Sequence, residues 1–213
     1  MNTVPVLRLT ESNRDALRRH FLALTAEDLR LRFEHVICEA SLLKYVDSID
    51  LGQDVVLGVF DDSLELAGVA HLGLRGEMAE FGVSVAPGHR GEGIGTALFR
   101  RAREYCRNHR VTSLFVHCLK ENAPMMHIAR KAGMEIVLDA SEAEAHLQVP
   151  PGDALSFTGE LLDNRVGLFD LALKSQFLAA RAVVDAMARA ADTLARPLQQ
   201  EQGRQPEEDK EAA

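Results

Sequence analysis

The chain has 213 residues, 46% of them hydrophobic, which suggests one domain with an appendage and allows a substantial core. Its formal charge of -8 opposes a general nucleic-acid binder, which needs a basic surface. No apolar run approaches the roughly 18 residues that span a bilayer, and no basic-then-apolar leader opens the sequence. The three cysteines, Cys38, Cys106 and Cys118, are odd in number and lack paired metal-ligand spacing, and the eight histidines show none either. A cytoplasmic protein with reduced thiols is expected, with no metal, membrane or nucleic acid as partner.

Val4 to Leu9 reads as a first strand. Thr10 can cap a helix through about Leu24, with Ala16, Leu17, Phe21 and Leu24 on one face. Thr25 followed by Asp28 starts a second helix over "AEDLRLRF", and Ser41 to Ser48 forms a third. The period then changes. "DVVLGVF" and "LELAGVAHLGL" are strand-like runs joined by "DDS", and Gly76 turns the chain into "MAEFGVSV". A glycine loop leads to a helix from Ile94 to His109, with Ile94, Leu98, Ala102 and Tyr105 as its buried stripe. The strand "SLFVHCL" follows, then a helix from Asn122 to the stop at Gly133, then the strands "MEIVL" and "AEAHLQV". "PPGD" breaks the pattern at 150–153. Beyond it, Leu161 to about Arg196 reads as one long amphipathic helix stopped by Pro197. The tail from Gln199 carries five acids and two bases and is expected to be disordered.

The glycine loop, "HRGEGIGTAL", carries the functional signal. A nucleotide P-loop would need Lys after its second glycine, but Ile94 follows Gly93. A dinucleotide fingerprint on Gly91 and Gly93 would need a third glycine where Thr96 stands. The pattern that fits is Arg-x-x-Gly-x-Gly, with Arg90, Gly93 and Gly95, directly after a strand. Glycines let the backbone turn its N–H groups inward, and the following helix adds partial positive charge, so a pyrophosphate can be held by main chain.

The strand, loop and helix "VSVAPGHRGEGIGTALF" resemble the acetyl-CoA pyrophosphate motif of the GNAT acetyltransferase superfamily. "ENAPMMHIARKAGM" is similar to that superfamily's second motif, and the likeness covers roughly residues 5–149. "LTAEDLRLRF" and "AEFGVSV" further resemble the GNAT domain of bacterial protein lysine acetyltransferases. The resemblance implies an α/β (α+β) fold, with a central mixed, mostly antiparallel twisted sheet flanked by helices, plus the long C-terminal helix. The expected division is a GNAT domain at 1–150, a helical extension at 151–198 and an acidic tail at 199–213.

It also implies an acetyl-CoA-dependent N-acetyltransferase whose acceptor is a primary amine, a small molecule or a protein lysine. Acetyl-CoA would be held by Val83, Ser84 and Val85 along its pantetheine arm. Arg90, Gly91, Glu92, Gly93, Ile94, Gly95 and Thr96 would hold its pyrophosphate, and Asn122 would bind the pantetheine amide or cap a helix. The backbone N–H near Val83 would polarise the thioester carbonyl. Glu80 is the expected catalytic base, with Glu77 as its nearest competitor. Many GNAT enzymes place a proton-donating tyrosine where this chain has Ala129. That departure leaves a second function class open, a GNAT-fold acyl-CoA sensor or scaffold with little turnover. His117 and Cys118 are expected to be packing residues with a proton-donor role open to either, and His71 and His127 to be surface or packing residues. The arginines at 100, 101, 103, 107 and 110 read mostly as a solvated face. The long C-terminal helix has three open roles: an extra layer on the sheet, a homodimer contact, which is favoured, or a partner dock.

Overall fold

The computed structural model describes residues 4–202, with side chains through 190. The chain divides into two compact units, with the boundary between Leu171 and Ala172. The first unit contains strands β1 (Leu7–Arg8), β2 (Val55–Phe60), β3 (Leu66–Arg75), β4 (Met78–Val85), β5 (Ser113–Leu119), β6 (Glu135–Asp139) and β7 (Glu142–Gln148). Its helices are α1 (Arg14–Leu22), α2 (Ala26–Phe33), α3 (Glu39–Ser48), α4 (Ile94–Asn108) and α5 (Ala123–Lys131). A last helix, α6, runs over Ala154–Gln202. No helix among the described residues is long and apolar enough to cross a membrane.

The strands form one sheet in the order β1-β2-β3-β4-β5-β7-β6. Every neighbouring pair is antiparallel except β4 and β5, which gives the mixed, mostly antiparallel sheet that the family resemblance implied. Alternation along the strands builds two cores. Val55, Leu57, Ala70, Leu72 and Phe81 face Leu98 and Ala102 of α4. Val56 and Val69 face Leu17 and Phe21 of α1 and Leu42 and Val46 of α3. The central strands are therefore buried on both sides, and β2 is buried at every position. Each fully buried Leu or Phe contributes about 1.5–3 kcal/mol relative to exposure. Helix α4 lies close on β3 at Gly68, where an added Cβ would stand 2.5 Å from Ile94 Cγ2.

Local signals explain most boundaries. Thr25 and Asp28 form a reciprocal capping box at the start of α2. Four expectations shift. The first strand shortens to Leu7 and Arg8, paired with Gly58 and Leu57, with one further bond from Leu9 N–H to the Val56 carbonyl at 2.8 Å. The first helix opens as a 3₁₀ turn over Glu11–Asn13. Helix α6 starts at Ala154 instead of Leu161, because Asp153 and Ser156 cap each other reciprocally at 2.8 and 2.9 Å. Pro197 stands inside α6 instead of ending it; a proline deletes one N–H and crowds one turn without obliging the chain to leave the helix. The expected acidic tail lies outside the described residues from 203 onward.

The early turns of α6 are tied to α4 by polar contacts. Arg101 is 3% exposed, so it does not belong to a solvated face. It pairs with Glu160 at 3.2 Å and donates to Asn164 Oδ1 at 2.8 Å. Asn108 donates to Glu160 Oε2 at 2.6 Å. The second unit, from Ala172, carries exposed Leu173, Phe177, Val184 and Met187 along its helix.

Candidate active site

β4 and β5 run parallel and pair only where Met78, Ala79 and Glu80 meet Ser113, Leu114 and Phe115. From Phe81 onward β4 has no strand partner on that side, so the sheet opens there. Two cavities occupy the opening. One, of about 540 Å³, runs along Val83 and Val85 to the glycine loop and α5. The other, of about 430 Å³, lies over Gly73, Glu80 and Gly82 beneath α2 and α3. They share Leu31, Arg32, Val83, Asn122 and Met125 as lining, so the two spaces meet beside Val83.

The loop holds its glycines for two reasons. Gly91 and Gly93 both sit at φ +81°, a left-handed conformation costly for any other residue, and nothing lies within 4 Å of a Cβ built on either. Gly95 instead permits close helix packing, since a Cβ there would stand 3.0 Å from Ile128 Cδ1. Gly93 caps α4, and the first helical hydrogen bond runs from Ala97 N–H to Gly93 O at 3.0 Å. The N–H groups of Ile94, Gly95 and Thr96 therefore have no partner within the helix and face the first cavity's end. A cradle open at its Cβ positions, with free N–H groups and a helix N-terminus, fits a pyrophosphate, and the unpaired edge of β4 fits an extended amide-bearing arm.

Other expected residues are more constrained. Arg90 is ion-paired with Asp28 of α2, which anchors the loop across the groove. Glu92 faces His89 at 3.3 Å. Ser84 is buried, and its hydroxyl turns away to His20. His20 Nδ1–H donates to the Leu66 carbonyl at 2.7 Å, so Nε2 accepts from Ser84 at 2.8 Å. Burial depresses the His20 pKa, against the Leu66 bond that raises it. Asn122 caps α5 by accepting from Met125 N–H at 3.1 Å, and its amide nitrogen donates to Leu31 O at 3.2 Å. Ala129 is buried and brings no hydroxyl to the site.

The second cavity gathers the titratable groups. Glu80 is half-exposed on its floor, 3.9 Å from Arg75. His117 meets Glu34 at 2.7 Å and Glu142 at 3.5 Å. Burial alone would depress its pKa, but the Glu34 hydrogen bond and the carboxylates around it raise it. Burial pushes the Cys118 thiol up to about 11, the wrong direction for a nucleophile.

These features already point to one family, and a match over residues 24–134 to the family described as "Acetyltransferase (GNAT) family" decides it. The chain belongs to the GNAT acetyltransferases. A curated relative, streptothricin acetyltransferase of Streptomyces lavendulae, is 33% identical over 79 residues. That stretch covers 37% of this chain and only 42% of the relative. Among solved structures, the GNAT domain of S. lividans PAT superposes with a TM-score of 0.58 at 16% identity, covering 67% of this chain and 89% of that one. A phosphinothricin acetyltransferase from Sinorhizobium meliloti, solved in complex with AcCoA, gives 0.57 at 15% identity, covering 72% and 92%. At such identities the structures establish the GNAT fold.

Sequence reasoning missed three residues of this GNAT site. Arg32, Tyr45 and His71 come from α2, α3 and β3 and meet in the second cavity. His71 was expected at the surface or in packing; it lines the cavity and its Nδ1 lies 2.9 Å from the Tyr45 hydroxyl. No local spacing links positions 32, 45 and 71. The one available signal was the alternation of β3, which puts His71 and Gly73 on one face.

Proposed function

We propose that this protein is an acetyl-CoA-dependent N-acetyltransferase that acts on a primary amine. The observation that carries the reading is the meeting of the two cavities beside Val83: one suited to a pyrophosphate and an extended arm, the other lined by a carboxylate. Acetyl-CoA, bound in the first, supplies an acetyl group activated as a thioester. The N–H groups from Arg90 to Thr96 hold the pyrophosphate. The free edge of β4 at Val83, Ser84 and Val85 orients the arm, and the N–H near Val83 steadies negative charge developing on the carbonyl oxygen. Glu80, on the floor of the second cavity, takes the proton from the attacking nitrogen. The C–N bond forms, the C–S bond breaks, and the sulfur leaves as a thiolate that takes its proton from solvent. With Ala129 in the family's acid position, solvent is the donor that this reading requires.

The same fold could hold an acyl-CoA without turnover, but Glu80 in the adjoining cavity favours the enzyme. A protein lysine, the acceptor that the sequence resemblance implies, and a free amino acid both present the primary amine needed. Three free cysteines, one of them exposed, support a reducing compartment such as the cytoplasm. The exposed Leu173, Phe177, Val184 and Met187 support self-association through the C-terminal helix, which sedimentation of the full chain tests.

The functional test is calorimetric titration with acetyl-CoA, combined with thiol release over a panel of amines. Binding with amine-dependent release supports the enzyme. Binding without release on any amine supports the sensor. No binding refutes both.

A further inference from the structure

The second cavity holds a guanidinium, that of Arg32, with which no described carboxylate forms an ion pair. Arg32 is half-buried, and its guanidinium lies against β4 at Gly82, where an added Cβ would fall on it. Nη2 donates to the Tyr45 hydroxyl at 3.3 Å, and the charge lies 5.1 Å from the Phe33 ring centroid. Because Tyr45 accepts from Arg32, its own O–H is free to donate to His71 Nδ1 at 2.9 Å. His71 then carries its proton on Nε2, which faces Asp54 Oδ2 at 3.9 Å. Burial keeps the Tyr45 phenol protonated, and burial with the nearby Arg32 charge keeps His71 neutral. The hydroxyl and ring that the guanidinium meets are therefore uncharged, and no described carboxylate forms an ion pair with it. Arginine cannot discharge itself by losing a proton, so a half-buried unpaired guanidinium is costly until an anion reaches it.

The anion is not the pyrophosphate. That end of the groove lies beyond Val85, with the loop N–H groups and Lys131. Arg32 stands at the other end, where the two cavities join. Glu80 and Gly82 lie on the same face of β4, roughly 6.6 Å apart along the strand. An acceptor whose nitrogen reaches Glu80 while an anionic group reaches the guanidinium over Gly82 must carry the two groups close together.

Resting on the N-acetyltransferase reading, we infer that the acceptor is a small amino acid, its primary amine separated from a carboxylate by one or two carbons. Arg32 receives the carboxylate through paired N–H donors, and Glu80 receives the proton released as the amine is acetylated. The neutral Tyr45 and His71 position the guanidinium without neutralising it. Gly82 is required because any side chain would take the guanidinium's place.

The test measures thiol release by the full chain, at saturating acetyl-CoA, with matched acceptors: phenylalanine against phenethylamine, leucine against isoamylamine, and a lysine peptide blocked at both ends. The expected result is a kcat/KM about 10- to 100-fold higher for each amino acid than for its decarboxylated partner, the worth of one charge-assisted contact. Arg32→Gln should bring that ratio towards one through KM, Arg32→Lys should restore part of it, and Gly82→Ala should reproduce the loss by displacing the guanidinium. Thermal melting of each variant checks that it folds. Equal or better rates with the decarboxylated amines or the blocked peptide overturn this inference and leave the N-acetyltransferase reading standing. A fall in kcat for both members of a pair in Arg32→Gln also overturns it, since the arginine would then act on the reaction and not on the acceptor. No release from the unaltered protein with any amine overturns the N-acetyltransferase reading and this inference together.

Discussion

Replacing Gly93 by Ala separates a phosphate cradle from a mere turn. Gly93 has φ +81° and ψ 5°, and open space surrounds its Cβ position. The substitution therefore costs backbone strain and no clash, about 1–2 kcal/mol for an L-residue held left-handed. Gly76, in the turn between β3 and β4, supplies the control: its φ is +62°, nothing lies within 4 Å of its Cβ position, and it lines neither cavity. Gly76→Ala and Gly93→Ala should lower the melting temperature by similar amounts, about 2–8 °C for a chain of this size. Only Gly93→Ala should weaken acetyl-CoA. If the loop relieves its strain by turning one N–H out of the cradle, the loss is one hydrogen bond to a charged group, about 1.5–3 kcal/mol. That corresponds to about a 10- to 150-fold rise in Kd. Calorimetry with acetyl-CoA reads the affinity, and a thermal melt reads the strain. If Gly93→Ala binds like the unaltered protein despite the shifted melt, the loop is structural and the pyrophosphate assignment is refuted.

Glu80→Gln should lower turnover by about 10²- to 10⁴-fold, the range for a positioned general base, with acetyl-CoA affinity retained in calorimetry; an unchanged rate removes Glu80 as the base. Stability should fall on acidification below about pH 6.5, by up to about 1.4 kcal/mol per pH unit from buried His20. The sign follows from burial depressing the folded pKa: between the two pKa values the unfolded chain binds the extra proton, so protonation favours unfolding. Denaturant titrations of the protein and of His20→Gln at several pH values measure this, and an equal slope in both would refute it. Among the thiols, exposed Cys38 should react first with a thiol reagent, because its bonds with Ser41 lower its pKa. Cys106 and Cys118, raised by burial to about 12 and about 11, should react only as the chain unfolds, which a timed thiol assay with and without denaturant shows.

Local chemistry was legible in the sequence. The Thr25–Asp28 box, the Asn122 cap, the apolar runs of the central strands and the glycine loop each depend on neighbours within a few residues. Each stands in the fold where that chemistry puts it. Glu80 and Val83 were singled out through the family resemblance, which assigns roles to positions on the strand before the loop. The start of α6 was legible in principle, since Asp153 and Ser156 carry a capping signal, but the preceding prolines and glycine masked it.

What the sequence by itself could not decide depends on contacts between distant segments. Arg101 looks like one of several solvated arginines until Glu160, Asn164 and the first turns of α6 close over it. His71 looks like an ordinary strand histidine until α3 brings Tyr45 and α2 brings Arg32 onto the same face of the sheet. The parting of β4 from β5 after Glu80 has no single-residue signature, because it depends on how two strands with other neighbours diverge. Sequence periodicity records which way each side chain points along its own element. Which elements meet, and so which charge lacks a partner in the cavity, is settled only when the sheet and its helices pack.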